Sequence, residues 1–261
     1  MDYSALTVER EDGIGTITFD NPEGRNALDL DAADELVDAA TALDDDPDVR
    51  CIVLTHTGEF YGTGADLTQF EGDTSDAERI RQLASRLHEA IVQFHGAPTP
   101  VVGGVDGVAA GASFGLALAP DLLLLSEDAR LEFAYPRIGL TGDCGATFFL
   151  PRLVGLRTAK EIVLLDEPIP AERAVDLGIA TEAVPGEEFD DRLFELAGQL
   201  AEGPTRALGS ASWLVTESFG RSLESQLAAE IDTIGEAVQT EDYERGYAAF
   251  FGDGDPEFVG R

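Results

Sequence analysis

The chain has almost no lysine. Of its 261 residues, 17 are Lys or Arg against 51 Asp or Glu, a formal net charge of -34, and Lys160 is the sole lysine. A surface of that sign repels a polyanion, so nucleic acid is excluded as a partner. Cysteine is scarce as well. Cys51 and Cys144 are too few for a disulfide framework, and Cys51 sits in an apolar run where plain burial is expected. Long apolar runs are missing: the longest, 116–125, is broken by Pro120 and Asp121 and falls short of the ~18–20 residues that cross a bilayer. The first residues lack the basic and apolar regions of a signal peptide. No membrane association and a cytoplasmic location are expected.

What the chain has instead is acid, and it is dispersed. Asp29, Asp31, Asp34, Glu35 and Asp38 are followed by acidic stretches at 44–46, 182–191 and 241–244. Acids interleaved with intact apolar periodicity describe a solvated surface rather than a disordered tail. In 1 M salt the Debye length falls to ~3 Å and self-repulsion is screened, so this surface suits a halophilic protein. The 44% hydrophobic content supplies a full core.

Strand and helix signals alternate over the first half. Residues 14–19 read as a strand, 21–24 as a turn, and Asp29 as the cap of a helix whose apolar face carries Leu30, Ala33, Leu36, Val37, Ala40 and Leu43. A buried strand at 50–55 and a polar loop at 73–76 come next. A long helix then carries Ile80, Leu83, Ala84, Leu87, Ile91 and Phe94 on one stripe. Further strands are expected at 98–105, 122–126 and 131–133, with an Ala/Gly-rich helix at 111–119. Glu132 is expected to face away from the core. From Ala146 onward the chain reads helical, with breaks at Gly155, Pro168, Pro185, Pro204 and Gly220. This order predicts an α/β fold with a C-terminal helical region.

Two glycine-rich turns carry the chemical signal. One runs from Gly58 to Leu67 and the other from Gly103 to Gly115, each after an apolar strand and before a helix. Such turns leave backbone N–H groups unpaired, and two of them can donate to one oxyanion. Asp143, within Gly142-Asp143-Cys144-Gly145, adds a carboxylate that can move a proton or cap a helix. Together these features suggest chemistry next to a carbonyl. His56, His88 and His95 show no nucleophile or metal-ligand spacing, so neither a triad nor a metal site is expected.

The whole set of motifs, in register, resembles the crotonase superfamily, the enoyl-CoA hydratase/isomerase family. The likeness runs through Asn21-Pro22-Glu23-Gly24-Arg25-Asn26-Ala27-Leu28, Thr63-Gly64-Ala65-Asp66-Leu67, the block 100–121, Ile138-Gly139-Leu140 and Phe148-Phe149-Leu150-Pro151-Arg152-Leu153-Val154-Gly155. It implies a spiral ββα core over 1–200 that binds an acyl-CoA thioester. A helical trimerisation region over 201–261 would make a homotrimer or a dimer of trimers. No cofactor is implied, because coenzyme A is part of the substrate.

By the resemblance, the oxyanion amides are those of Ala65 and Ala112, and the substrate-binding positions are Arg25, Ala27, Gly64, Asp66, Leu67 and Gly111; the aromatics Phe70, Tyr135 and Phe148 are candidates for the acyl pocket, with plain core packing as the alternative. Arg25 would face the CoA phosphates, although the C-terminal stretch 252–256, where the family often has a lysine, is acidic here. The two glutamates with which the family's hydratases activate water are replaced by Gly115 and Arg137. Neither replacement takes a proton at neutral pH. The segment 138–149 is similar to the isomerase branch, including the ring-opening isomerases of phenylacetyl-CoA degradation, where an acid at the position of Asp143 shuttles the proton. An isomerase of fatty acid or phenylacetate metabolism is therefore expected. A hydratase with atypical water activation and a non-catalytic acyl-CoA-binding subunit are the alternatives.

Overall fold

The computed structural model describes residues 3–252 and 254–261, so Asp253 of the acidic C-terminal stretch lies outside the described residues. Among them, ten strands follow one another as β1 (Leu6–Glu11), β2 (Ile14–Phe19), β3 (Cys51–His56), β4 (Phe60–Gly62), β5 (Val101–Val105), β6 (Val108–Ala110), β7 (Leu122–Ser126), β8 (Arg130–Glu132), β9 (Ile169–Pro170) and β10 (Glu182–Val184). They form two sheets, ordered β1-β2-β3-β5-β7-β10 and β4-β6-β8-β9. The β1–β2 and β8–β9 pairs are antiparallel, and every other pair is parallel. The helices are α1 (Leu30–Asp44), α2 (Asp76–Gly96), α3 (Ala112–Ala117), α4 (Ala146–Leu153), α5 (Gly155–Leu165), α6 (Ala171–Asp176), α7 (Phe189–Ala201), α8 (Thr205–Glu217), α9 (Leu223–Ala237) and α10 (Glu241–Phe251).

The motif repeats: a strand of the larger sheet, a strand of the smaller one, then a helix. β3-β4-α2 and β5-β6-α3 each follow it, and β7-β8 leads on to α4. The central strands β3, β5 and β7 can be largely apolar because both of their faces are covered. Ile52, Leu54, Val101 and Leu125 join the main core with α1 and α2. Their neighbours Cys51, Val53, Val102 and Leu124 face Phe189, Leu193, Leu196 and Ala197 of α7. Successive side chains thus serve two separate cores. The helix caps follow the sequence: Asp29 accepts the Ala32 N–H at 2.8 Å, and the expected α2 stripe buries Leu83, Leu87, Ile91 and Phe94.

The mixed α/β architecture with a helical C-terminal region is the one expected. Several details differ. β9 and β10 interrupt the region read as wholly helical; they are two and three residues long, too short for a periodic signal, and they exist by pairing with an edge already formed. Asp76 belongs to α2 rather than to a loop, and its carboxylate gathers the N–H groups of Glu71, Gly72 and Asp73. Glu132 points inward, 7% exposed, because Arg130 and Arg137 neutralise it there.

The C-terminal helices are joined to the core by polar ties. Arg50 Nη2 donates to Gly203 O at 2.6 Å and its Nε to Thr205 Oγ1 at 3.3 Å, while the buried Asp242 of α10 accepts the N–H groups of Val259 and Gly260 at 2.6 and 2.9 Å and so fastens the last residues to that helix. No helix among the described residues is long and apolar enough to cross a membrane.

Candidate active site

The two glycine turns meet backbone to backbone. Gly64 has φ +86°, and a Cβ built there would stand 2.9 Å from Ala112 N and 3.1 Å from Ala110 O. Only glycine allows both the left-handed turn and that approach. Around it the amides are spoken for on either side of Ala65: Gly64 N–H donates to Ser113 Oγ at 3.3 Å and Asp66 N–H to Leu28 O at 2.8 Å. The Ala65 N–H itself has no acceptor among the described residues. Ala112 opens α3, so its N–H lies ahead of the helical ladder and likewise finds no acceptor among them.

Ala65 and Ala112 both line a cavity of about 210 Å³. Its walls are apolar: Phe70, then Ile80, Leu83, Ala84 and Leu87 from α2, with Ile138 and Leu140 opposite. Among the lining residues Asp143 is the one carboxylate and Arg137 the one cation. Arg137 is held by Asp166, with Nε 2.7 Å from Oδ2, and by Glu132. Burial pushes the Glu132 carboxyl up, but the hydrogen bonds from Arg137 and Arg130 outweigh it and keep the group below the usual carboxylate range.

Asp143 is gripped from several directions. The buried Tyr135 hydroxyl donates to Asp143 Oδ1. Burial, then the negative charge of Asp143, pushes the Tyr135 phenol up, so it stays a donor. The next residue, Cys144, is fully buried with φ +47°; its N–H donates to His88 Nε2 at 3.1 Å, and burial raises its thiol so that it stays protonated. The α4 cap residue is Gly145, so the Asp143 side chain is not used as a cap. Gly115 lies under this loop, and a Cβ there would meet Cys144 O at 2.2 Å. No glutamate fits at 115 along this backbone.

The cavity therefore brings together Gly64, Ala65, Leu67, Phe70, Gly111, Ala112, Tyr135 and Asp143 from the sequence-derived set. Four members lie outside it. Asp66 turns back to accept from Thr68 N at 3.0 Å and Thr68 Oγ1 at 2.7 Å, bonds that lower its carboxyl. Ala27 is half-buried in the preceding turn, its N–H on Gly24 O at 3.1 Å. Arg25 is exposed, 5.4 Å above the Phe60 ring. Phe148 is on the outer side of α4, 42% exposed, because its ring stacks on Arg152 at 3.5 Å.

His88 is the residue the sequence concealed. Its spacing in the chain predicts no nucleophile or metal-ligand partner, yet a ring nitrogen of His88, a carboxylate oxygen of Asp143 and Cys144 Sγ lie within 4.8 Å of one another. The two segments are far apart in the chain, so spacing gave no signal; the i, i+4 step from Ala84 on a cavity-lining helix was the available clue.

Comparison with known proteins agrees with this architecture. The family model described as enoyl-CoA hydratase/isomerase matches residues 9–261. A Rhodobacter capsulatus protein named "Probable enoyl-CoA hydratase" is 34% identical, with both chains covered in full. The 1,2-epoxyphenylacetyl-CoA isomerase of Escherichia coli K12 is 32% identical, also over 100% of both chains. The crystal structure of an enoyl-CoA hydratase from Polaromonas sp. JS666 superposes with a TM-score of 0.92 at 30% identity, over 98% of this chain and 100% of that one. With its spiral of strand pairs and helices and its matched family pattern, the chain belongs to the enoyl-CoA hydratase/isomerase family.

Proposed function

We propose that this protein moves a carbon–carbon double bond along the acyl chain of a CoA thioester, with Asp143 as the single proton carrier. The observation that carries the reading is that Asp143 is the one carboxylate lining the cavity that holds the two unpaired amides. The thioester oxygen accepts from the N–H groups of Ala65 and Ala112. The Asp143 carboxylate takes the proton from C2 of a 3-enoyl chain, and the electrons pass onto the oxygen to give a dienolate. The same carboxyl returns the proton to C4, leaving the 2-enoyl ester, so atoms and charge balance with one acid. Each amide donor is worth ~3–4 kcal/mol when charge develops on the oxygen. Tyr135 steadies the carboxylate, and the apolar wall from Phe70 to Leu140 takes the chain. The bridge between Leu28 and Ala65 ties the turn bearing Arg25 to the first oxyanion residue, which favours Arg25 as the cation for the CoA phosphates.

The same reading extends to surroundings and assembly. The charge of -34 favours work in concentrated salt, where binding an anionic CoA ester is no longer opposed by long-range repulsion. The apolar side chains left exposed on α9 and α10 favour a homotrimer or a dimer of trimers. A hydratase is the second reading, favoured by the name of the Rhodobacter relative.

The test is turnover of a 3-enoyl-CoA in molar KCl. Asp143→Asn keeps the shape but takes no proton, and the expected loss is ~10²–10⁴-fold with ester binding retained. A near wild-type rate in that variant would remove the proposal. Accumulation of 3-hydroxyacyl-CoA from a 2-enoyl ester would transfer the assignment to hydration.

A further inference from the structure

We infer that His88 is a positioning residue for Asp143, acting through the Cys144 N–H; this rests on the reading of Asp143 as proton carrier. His88 lies on α2. Ile80, Ala84 and His88 follow one another at i, i+4 steps and so form one row along the helix. The first two line the cavity, and the third reaches the loop that carries Asp143. One helix therefore shapes the acyl wall and holds the acid opposite it.

The loop needs holding. Cys144 is not glycine, yet it sits at φ +47°, followed by Gly145 at φ +76°. A non-glycine residue in the left-handed region is strained and persists only when its surroundings fix it. Here the surroundings act on the peptide that joins Asp143 to Cys144 and on its neighbours. Its carbonyl, that of Asp143, accepts the Ala146 N–H at 3.0 Å, and its N–H donates to His88 Nε2 at 3.1 Å. The next carbonyl, that of Cys144, abuts Gly115. Because Nε2 accepts, the ring proton is on Nδ1. The orientation of that peptide sets where the Asp143 side chain leaves the backbone, and Tyr135 holds its far end.

Among the described residues no hydrogen bond joins the His88 ring to the Asp143 carboxylate, although the two are neighbours. The imidazole thus acts on the peptide and not on the travelling proton. His88 is itself exposed, so without it the Cys144 N–H opens to solvent and the loop loses the contact that fixes this peptide, which leaves the carboxylate held less firmly.

Two variants test this. His88→Leu removes the acceptor; His88→Gln restores one, since its Oε1 can stand where Nε2 stood. His88→Leu is expected to lower kcat on a 3-enoyl-CoA by ~10–100-fold, the effect of a small misplacement, with KM near the wild-type value. His88→Gln should recover most of the loss. Amide hydrogen exchange should be fast at Cys144 in the leucine variant and slow in wild type and in His88→Gln. A glutamine variant as slow as the leucine one would mean that the imidazole itself transfers protons, and a leucine variant at wild-type kcat would mean that it does nothing; either result overturns the inference. If His88→Leu does not fold, kcat and Cys144 exchange in His88→Gln decide. Asp143→Asn run alongside separates the failures: wild-type turnover there sinks the proton-carrier reading, while an inactive Asp143→Asn beside an active His88→Leu sinks only this one.

Discussion

Helices α7 and α9 are both amphipathic and of similar length, 13 and 15 residues, yet their apolar faces end in opposite surroundings. α7 buries Phe189, Leu193, Leu196, Ala197 and Ala201 against the outer face of the larger sheet. α9 buries nothing; Leu223, Ile231 and Ile234 are 70%, 70% and 68% exposed. The difference lies in what remains to cover. α7 is laid down while one face of β3, β5 and β7 is still bare. After it the sheet is closed on both sides, and α9 packs mainly on α8. Periodicity says that a helix will bury a face; the supply of uncovered sheet says whether the same chain can provide the partner.

Truncating one apolar residue on each helix should have unequal effects. Leu193→Ala opens a cavity under the sheet and should cost ~2–5 kcal/mol in urea unfolding. Ile231→Ala removes little that a single chain buries, so its cost to a protomer should stay within ~0.5 kcal/mol. Its effect should appear instead in light scattering, as dissociation of an assembly. Equal costs, or a monodisperse monomer in high salt for the wild type, would end the contrast.

Salt sharpens it further. In the proposed assembly, copies meeting through α9 and α10 would each carry the full negative charge, whereas α7 meets apolar side chains of the sheet within its own chain. Raising KCl from about 0.1 to 1 M shortens the screening length from ~10 to ~3 Å, so assembly and melting temperature should both rise, assembly more steeply. A flat response would remove the case for a protein adapted to concentrated salt.

The smallest effect concerns acid. The Glu132 carboxyl is held below its ordinary 4.5 in the folded state, so its contribution is present above 4.5 and is lost as pH falls through the lower folded value. Glu132→Gln lacks this dependence. Its urea stability should therefore decline less than wild type over that acid window, and identical acid limbs would show that the two arginines do not hold the charge. Glu132 belongs to the spiral, so this loss should leave the exposed C-terminal helices unaffected.

The sequence made some of this legible and not the rest, for physical reasons. α1, α2 and β3 could be read because each buries a long, regular face. Ala65 and Ala112 could be placed because their turns keep a family pattern in which glycine is required by close backbone approach. β9 and β10 could not, since their few residues become strands only beside an existing edge. Glu132 was misread because alternation assumes that a buried position is apolar, whereas two arginines make this one habitable for a carboxylate. Phe148 was assigned to the pocket on type and neighbourhood, but Arg152 one turn later draws its ring outward. His88 needed the fold itself, because its partner is an amide 56 positions along the chain.

The contact between Gly115 and the Cys144 carbonyl has a consequence for descent. In the hydratases this family resemblance points to, a glutamate stands at the place of Gly115; here the carbonyl and Cβ of Cys144 fill that volume. The two arrangements compete for the same space, so a side chain at 115 requires the Cys144 backbone to move. A glutamate arriving first collides with the main chain, and a rerouted loop arriving first leaves a hole and a displaced aspartate. Loop course and side chain at these two places are therefore tied to one another. What this chain can catalyse is inherited in the route of its backbone as much as in the identity of its acids.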